Sequence, residues 1–325
     1  MNGELAQIHV YWEGMKKNKN CIISNDIYRR IMWKYRLYLF CNYVKYVGIV
    51  GLLLAWISDI KEFNWLCLLG LLVFVEIALT YSTFKCSILQ IIGMAKANKK
   101  YGSNAPDIDS YSGEIRYSLP FEGEWTIVNG CFTKEFSHSW DIPTQRYAYD
   151  FIMMDESGKS YIGDSKKVES YYCYDKAILS PADGVVIEIA NESDDSLIIG
   201  NGKLFSRAKN IAGNYIVIKH SENEFSTLAH LKRDSMVVKV GDRIQRGQKI
   251  ATCGNTGNSS EPHLHFQVQD GVSFYNSAGL PIRFSDIKLN KQPNYSSIDP
   301  RPCMDIDHIP QALITRGYRV SNSMS

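Results

Sequence analysis

Residues 254–268, GNTGNSSEPHLHFQV, contain the pattern that decides the fold. A loop rich in glycine and serine leads into a short alternating segment, in which His263 and His265 are two positions apart. Because side chains at i and i+2 of a β-strand lie on the same face, both imidazoles are predicted to reach one space. That geometry suits a metal ligand beside a catalytic group. The glycines favour tight turns or a close approach to a bound chain.

Composition excludes several classes of protein. The chain has 325 residues, which is enough for one or two domains with a buried core. Its formal net charge of +2 gives no electrostatic footprint for nucleic acid, so we expect no nucleic-acid partner. The eight cysteines are far apart and include no Cys-X-X-Cys pair. That spacing argues against a disulfide framework and against a cysteine zinc site.

Two apolar segments near the N-terminus are each about as long as a bilayer span. They are residues 37–58, LYLFCNYVKYVGIVGLLLAWIS, and residues 65–84, WLCLLGLLVFVEIALTYSTF. Each contains one charge, Lys45 or Glu76. We expect Lys45 to snorkel toward the interface and the leucine-rich surroundings to offset Glu76. The sequence therefore predicts a transmembrane helical hairpin in the lipid bilayer; a pair of buried helices in a soluble domain is the alternative.

Basic residues flank both outer ends of this hairpin. The N-terminal flank contains Lys16, Lys17, Lys19, Arg29, Arg30, Lys34 and Arg36. The distal flank contains Lys85, Lys96, Lys99 and Lys100. The joining segment has Lys61 against Asp59 and Glu62. The positive-inside rule then puts both ends of the hairpin in the cytoplasm.

The rest of the chain changes from helical to β texture at about Glu114. Short apolar runs broken by Gly, Asn and Asp predict a mainly β domain, an antiparallel sheet or barrel-like sandwich. The predicted order is a basic juxtamembrane segment (1–36), the transmembrane hairpin (37–84), a helix with a linker (85–112), the β domain (113–310) and a loosely ordered tail (311–325).

Three further blocks accompany the opening motif. They are residues 177–186, AILSPADGVV; residues 213–231, GNYIVIKHSENEFSTLAHL; and residues 240–251, VGDRIQRGQKIA. Together with residues 254–268 they closely resemble the lysostaphin/LytM-type zinc metallopeptidases. The resemblance covers about residues 114–290 and excludes the hairpin. It implies a Zn²⁺ cofactor and hydrolysis of peptide amides, typically in peptidoglycan cross-links.

The resemblance assigns roles to four residues of this chain. His265 would be a zinc ligand, and so would Asp150 in the segment QRYAYDF. His263 and His230 would be catalytic and would stabilise the tetrahedral intermediate. Two imidazoles and a carboxylate leave a fourth position on zinc, where a bound water is acidified to near neutrality. Candidates for lining the substrate groove are Arg146, Asn255, Gly257 and Ser259.

The chain departs from the family pattern at Arg146, because the family usually has a histidine four residues before the aspartate. On a strand, Arg146 and Asp150 would share a face. A guanidinium about 5 Å from Zn²⁺ would be repelled by roughly 6–7 kcal/mol at an effective dielectric of 20. We therefore expect Arg146 to turn away and to pair with an acidic neighbour such as Asp141. His138, twelve residues before Asp150 in SHSWDIP, is predicted to supply the missing ligand.

Two other functions are compatible with the sequence. A catalytically impaired domain could bind peptide or peptidoglycan and regulate a partner, which Arg146 favours. A membrane peptidase facing the cytoplasm could instead process a secreted precursor peptide, which the positive-inside count favours. The family resemblance places the domain outside the cell, so it opposes the charge count. The sequence does not define the oligomeric state.

Overall fold

The computed structural model describes residues 25–58, 63–102, 105–137, 139–200 and 209–323. The chain divides into two compact units, Met1–Leu79 and Thr80–Ser325. His138 and most of the predicted juxtamembrane segment, residues 1–24, lie outside the described residues.

The first unit is helical. It consists of α1 (Asn25–Ile57), α2 (Phe63–Leu66), a 3₁₀ turn (Cys67–Leu71) and α3 (Leu72–Leu79). Within α1, the stretch Arg29–Ile57 is long and apolar enough to cross a membrane. The second apolar segment satisfies that test only when Cys67–Leu79 is taken together with Tyr81–Tyr101. The single continuous span predicted for residues 65–84 is therefore not observed, because one helix ends at Leu79 and the next begins at Tyr81.

The charges of the two apolar segments form an ion pair. Lys45 Nζ lies 2.5 Å from Glu76 Oε2, and the two side chains are 18% and 16% exposed. One turn along α1, a Cβ added at Gly48 would lie 2.3 Å from the backbone nitrogen of Gly70, so the segments are in close contact there. The sequence-based expectation that Lys45 would snorkel while leucines offset Glu76 is therefore wrong, since each charge neutralises the other.

This ion pair predicts a non-additive response to substitution. Lys45→Met leaves the Glu76 carboxylate without its cation in apolar surroundings, where breaking a pair costs up to about 3–5 kcal/mol. We expect the double variant Lys45→Met/Glu76→Leu to be more stable than Lys45→Met alone. The measurement is detergent-induced unfolding of the full chain, followed by circular dichroism. A double variant less stable than Lys45→Met would contradict the pairing.

The second unit is built on antiparallel strands and begins with α4 (Tyr81–Tyr101). Its sheet contains nine strands in the order β10-β11-β1-β2-β9-β6-β5-β4-β7, and β3 pairs with β8 separately. The strands are β1 (Trp125–Asn129), β2 (Tyr149–Ile152), β3 (Ala177–Leu179), β4 (Gly184–Ala190), β5 (Tyr215–Lys219), β6 (Phe225–Ala229), β7 (Arg243–Ile244), β8 (Lys249–Thr252), β9 (Leu264–Gln269), β10 (Ile287–Lys291) and β11 (Tyr318–Asn322). The predicted mainly β, antiparallel fold is confirmed.

Strand β9 separates an apolar core from a polar layer. Leu264, Phe266 and Val268 lie on one face and belong to the main hydrophobic core. His265, Gln267 and Gln269 alternate with them and lie on the opposite face, as the period of two requires. These polar residues are also buried, at 5%, 0% and 0% exposure. The site is therefore built on a covered face of the sheet.

Two predicted boundaries differ from the structure. Residues 311–325 were expected to form a loose tail, but β11 lies inside the sheet between β10 and β1, and its Tyr318 and Val320 are buried. The helix expected to precede a linker is also part of the second unit. Lys100 at its end lies 2.5 Å from the Asp270 carboxylate. The β-rich unit therefore includes chain on both sides of residues 113–310.

Candidate functional site

Strand pairing brings four predicted site residues together. In the register of β2 with β9, Asp150 is directly opposite His265, and in that of β6 with β9 Ala229 is opposite the same histidine. Direct cross-strand neighbours have Cβ atoms about 4.5–5.5 Å apart. His230 follows Ala229 at the end of β6, and His263 immediately precedes β9. All four side chains therefore reach one region.

The distances define a compact cluster around Asp150. Its Oδ1 lies 2.9 Å from His265 Nδ1 and 3.8 Å from His263 Nε2. The ring centre of His230 lies 4.5 Å from that of His263 and 5.8 Å from that of His265. His263 is half-buried, whereas the other three are buried. His263 is thus the member of the cluster most open to a bound chain.

Backbone carbonyls fix the protons on two of the histidines. His230 Nδ1 lies 2.7 Å from Thr256 O, and His263 Nδ1 lies 2.8 Å from Glu261 O. A carbonyl oxygen only accepts a hydrogen bond, so Nδ1 carries the proton in both neutral rings. In the neutral form of either ring, the lone pair then lies on Nε2.

His265 has the opposite arrangement. Its Nε2 lies 2.9 Å from Gln267 Oε1, while its Nδ1 faces Asp150. With Nε2 donating to the amide oxygen, a neutral ring presents an unprotonated Nδ1 to a carboxylate oxygen. Two acceptors at this distance repel each other unless a proton or a cation lies between them. The donor chemistry of Asp150 and His265 therefore fits a bound metal ion.

Burial and charge shift the pKa values of two histidines in opposite directions. Burial lowers the pKa of His230 well below its usual value, and the neighbouring His263 and His265 lower it further. Burial also lowers the pKa of His265, but the hydrogen bond and charge of Asp150 outweigh it and raise that pKa. His230 is therefore a neutral base at pH 7, and His265 can hold the proton that a metal ion would replace.

The described residues supply only part of a metal-ligand set. Within them, no group of three His, Cys, Asp or Glu side chains is arranged to hold an ion. Asp150 and His265 contribute two donors, and His138, the predicted third, lies outside the described residues. Asn129 Nδ2 donates to Asp150 Oδ2 at 3.0 Å and orients the carboxylate. Sequence reasoning missed Asn129, because its position opposite Asp150 depends on the pairing of β1 with β2.

Arg146 lies in a turn and not on a strand with Asp150. A 3₁₀ turn, Pro143–Gln145, precedes it, and β2 begins only at Tyr149. Its Nε donates to Trp140 O at 3.1 Å, and its guanidinium carbon lies 5.1 Å from the centre of the Trp140 ring. The expected pairing of Arg146 with Asp141 is wrong, since Asp141 Oδ1 pairs with Lys134 Nζ at 3.5 Å. A cation–π contact with Trp140 holds the guanidinium instead.

Three of the predicted groove residues are internal to the loop that carries His263. Asn255 Nδ2 donates to Ser196 O at 2.8 Å, and Ser259 Oγ donates to Asn255 Oδ1 at 2.7 Å. Both side chains are buried, and Gly257 packs against Gly213. Buried side chains are not available to a bound chain, so the expectation that these residues line a groove is wrong. They hold the loop in place behind His263.

Comparisons with known proteins relate part of the β-rich unit to a peptidase family. Residues 170–277 match the family model of peptidase family M23. Peptidoglycan DD-endopeptidase ShyB of Vibrio cholerae is 46% identical over 70 residues, 21% of this chain and 16% of that protein. Murein hydrolase activator NlpD of Escherichia coli is 28% identical over 177 residues, 54% of this chain and 40% of that protein.

A solved structure, a zinc-containing peptidase from Vibrio cholerae, aligns at 24% identity with a TM-score of 0.32, covering 52% of this chain and 41% of that one. The chain therefore spans at most about two-fifths of the length of these relatives. The match of residues 170–277 identifies the β-rich unit as carrying a peptidase M23 domain of the LytM/lysostaphin type.

The packing of Gly257 predicts a specific cost of substitution. Gly257 has φ of +85°, and a Cβ there would lie 2.4 Å from Gly213 N; Gly247 has a similar φ of +78° with open space around it. Gly247→Ala should cost only the left-handed backbone penalty, about 1–2 kcal/mol. We expect Gly257→Ala to cost clearly more, as measured by chemical denaturation of the full chain. Equal losses would show that the contact with Gly213 contributes nothing.

Proposed function

We propose that this chain is a membrane-anchored zinc metalloendopeptidase that hydrolyses peptide amides in peptidoglycan cross-links. The observation that carries the proposal is the 2.9 Å approach of Asp150 Oδ1 to His265 Nδ1, two groups that need a cation or a proton between them. The match to peptidase family M23 supports the peptidase class. The peptidoglycan endopeptidase and murein hydrolase activator among its relatives support a cell-wall substrate.

The metal would be held by Asp150 and His265, with His138 as a third ligand. Bound zinc supplies a Lewis acid and an acidified water for hydrolysis. The carboxylate is held by Asn129, and the imidazole is held through Nε2 by Gln267. These contacts fix the directions of both donors, as the outer partners of metal ligands do in other sites.

The other two histidines would perform the proton chemistry. His230 is neutral because burial lowers its pKa, and its Nδ1 is committed to Thr256 O. Its free Nε2 suits it to accept a proton from an attacking water. His263 is half-buried and also presents Nε2, which suits it to contact the substrate carbonyl or the leaving amine.

A second candidate function is a peptide-binding module that regulates another enzyme. It is favoured by Arg146 at the position where the family usually has a ligand, and by the two-donor set within the described residues. The similarity to a murein hydrolase activator also supports it. Such a module would bind peptide without needing zinc, so metal content separates the two candidates.

The first test of the proposed function is the metal content of the full chain in detergent. We expect near-stoichiometric zinc by elemental analysis after purification under zinc-replete conditions. His265→Ala should abolish binding, because it removes one of the two donors that the structure brings together. Absence of zinc from the unmutated chain would exclude the peptidase and leave the binding module.

The same assay tests His138 as the third ligand. His138→Ala should lose much of the bound zinc, and Arg146→His should change the zinc content little. If His138→Ala binds as much zinc as the parent, His138 is not the third ligand.

The second test separates ligands from catalytic groups. His230→Ala and His263→Ala remove rings whose Nδ1 atoms are bonded to backbone carbonyls. We expect each variant to retain zinc while hydrolysis of a peptidoglycan-derived peptide falls by about 10²–10⁴-fold, as for acid–base groups elsewhere. Parallel elemental analysis and product quantification give the answer. Loss of zinc in His263→Ala would show that the two members of the His-X-His pair have the opposite roles.

A further inference from the structure

Polar side chains continue the site along β9 beyond His265. His265 Nε2 lies 2.9 Å from Gln267 Oε1, and Gln267 Nε2 lies 2.5 Å from Gln269 Oε1. Gln269 Nε2 in turn lies 2.7 Å from Gly271 O and 3.1 Å from Val272 O. Three side chains at i, i+2 and i+4 of one strand thus form a single row that ends on two backbone carbonyls.

We propose that Gln267 and Gln269 are positioning residues that fix the proton of His265 on Nε2 and so keep Nδ1 free for a metal ion. The inference deepens the proposed function and rests on it for the identity of the ion. In this row the two glutamines are hydrogen-bonded to His265, to each other and to backbone carbonyls, and not to His230, His263 or Asp150. Their action is through His265.

The direction of each hydrogen bond follows from the end of the row. Gly271 O and Val272 O can only accept, so Gln269 must turn its amide nitrogen toward them. Its Oε1 then faces Gln267 and accepts from Nε2 of that residue. The Gln267 oxygen consequently faces His265, where it accepts from Nε2–H. The polarity set by two backbone carbonyls therefore determines the tautomer of a ring at the site.

Burial makes this polarity stable. Gln267 and Gln269 are both 0% exposed, and His265 is 5% exposed. Water is therefore not at hand to replace a lost bond, and a flipped amide would leave a buried donor or acceptor unpaired. Such a group costs about 1–3 kcal/mol. Reversing the whole row would keep its internal contacts paired but would set Gln269 Oε1 against the carbonyl oxygens of Gly271 and Val272, so the observed direction is favoured.

The row would be unnecessary if β9 served only packing. Buried polar side chains are costly unless they are hydrogen-bonded, and apolar residues on the same face would pack without that requirement. Thr227 lies directly opposite Gln267 in the pairing of β6 with β9, and its buried hydroxyl has no hydrogen-bond partner. Thr227 shares the layer and the burial of Gln267 but not the row. It provides a matched control.

The test compares Gln267→Met, Gln267→Glu and Thr227→Val in the full chain in detergent. The affinity for Zn²⁺ is measured by competition with a chromophoric chelator. Gln267→Met removes the acceptor for Nε2–H, and we expect affinity to fall by about 10–100-fold, as when other outer partners of metal ligands are removed. Gln267→Glu keeps the acceptor for Nε2–H but loses the donor to Gln269, so it should bind Zn²⁺ more tightly than Gln267→Met, and Thr227→Val should match the parent.

A second measurement detects the tautomer without metal. Histidine ¹H–¹⁵N correlations of the metal-free chain detect the proton on His265 Nε2, with His265→Ala used for assignment. The parent should show a slowly exchanging proton on Nε2, and Gln267→Met should lose that protection because the acceptor is gone. If Gln267→Met does not fold, the presence or absence of the Nε2 proton in the parent still decides.

The outcomes separate this inference from the proposed function. A parent that binds no zinc but carries the proton on Nε2 overturns the metallopeptidase and retains the positioning role. A parent that binds zinc, with Gln267→Met no weaker than Thr227→Val, overturns the positioning role alone. A metal-free parent whose His265 Nε2 carries no proton also overturns it.

Discussion

The register of β9 between β2 and β6 is the constraint on which the rest of the site depends. It places Asp150 opposite His265 on one side and Ala229, followed by His230, on the other. A slip of one residue would turn His265 into the apolar core and expose Phe266 to the polar layer. The core side chains of β9 oppose that slip, because Leu264, Phe266 and Val268 are buried almost completely. Hydrophobic packing on one face therefore holds the chemistry on the other.

The same register makes the metal-free site depend on a proton. Asp150 raises the pKa of His265 against the effect of burial, so the folded chain holds a proton where a cation would otherwise lie. A histidine whose pKa is raised on folding contributes stability that is full below its unfolded pKa and is lost as pH rises through the folded value. Without metal, the site is thus least stable on the alkaline side. Bound zinc would remove that dependence by taking the place of the proton, which links metal binding to the stability of the sheet.

The sequence predicted the parts of the site that depend on local spacing. His263 and His265 share a face by strand periodicity, and the same spacing could have identified Gln267 and Gln269 as the next members of that face. It did not predict features that depend on distant partners. Strand β11 has the sequence of a polar tail, and its place in the sheet depends on pairing with β10 and β1. Lys45 and Glu76 each appear in the sequence as a charge that is costly to bury in a membrane, and only helix packing shows that they pair. Arg146 was placed on a strand, whereas Pro143 starts a 3₁₀ turn that delays β2 until Tyr149.

The number of membrane crossings determines whether the charge of the N-terminal flank and the proposed substrate agree. Peptidoglycan lies outside the cytoplasmic membrane, and the basic N-terminal flank favours the cytoplasm. One crossing by Arg29–Ile57 would put the N-terminal flank in the cytoplasm and the β-rich unit outside, but it would also put the basic distal flank, Lys85 to Lys100, outside, against the charge count. Two crossings would return the chain to the side of its N-terminal flank. Residues 67–79 alone rise only about 20 Å as a helix, less than the roughly 30 Å of the hydrocarbon core. The break at Thr80, in the second apolar segment, is therefore the feature on which the location of the β-rich unit depends.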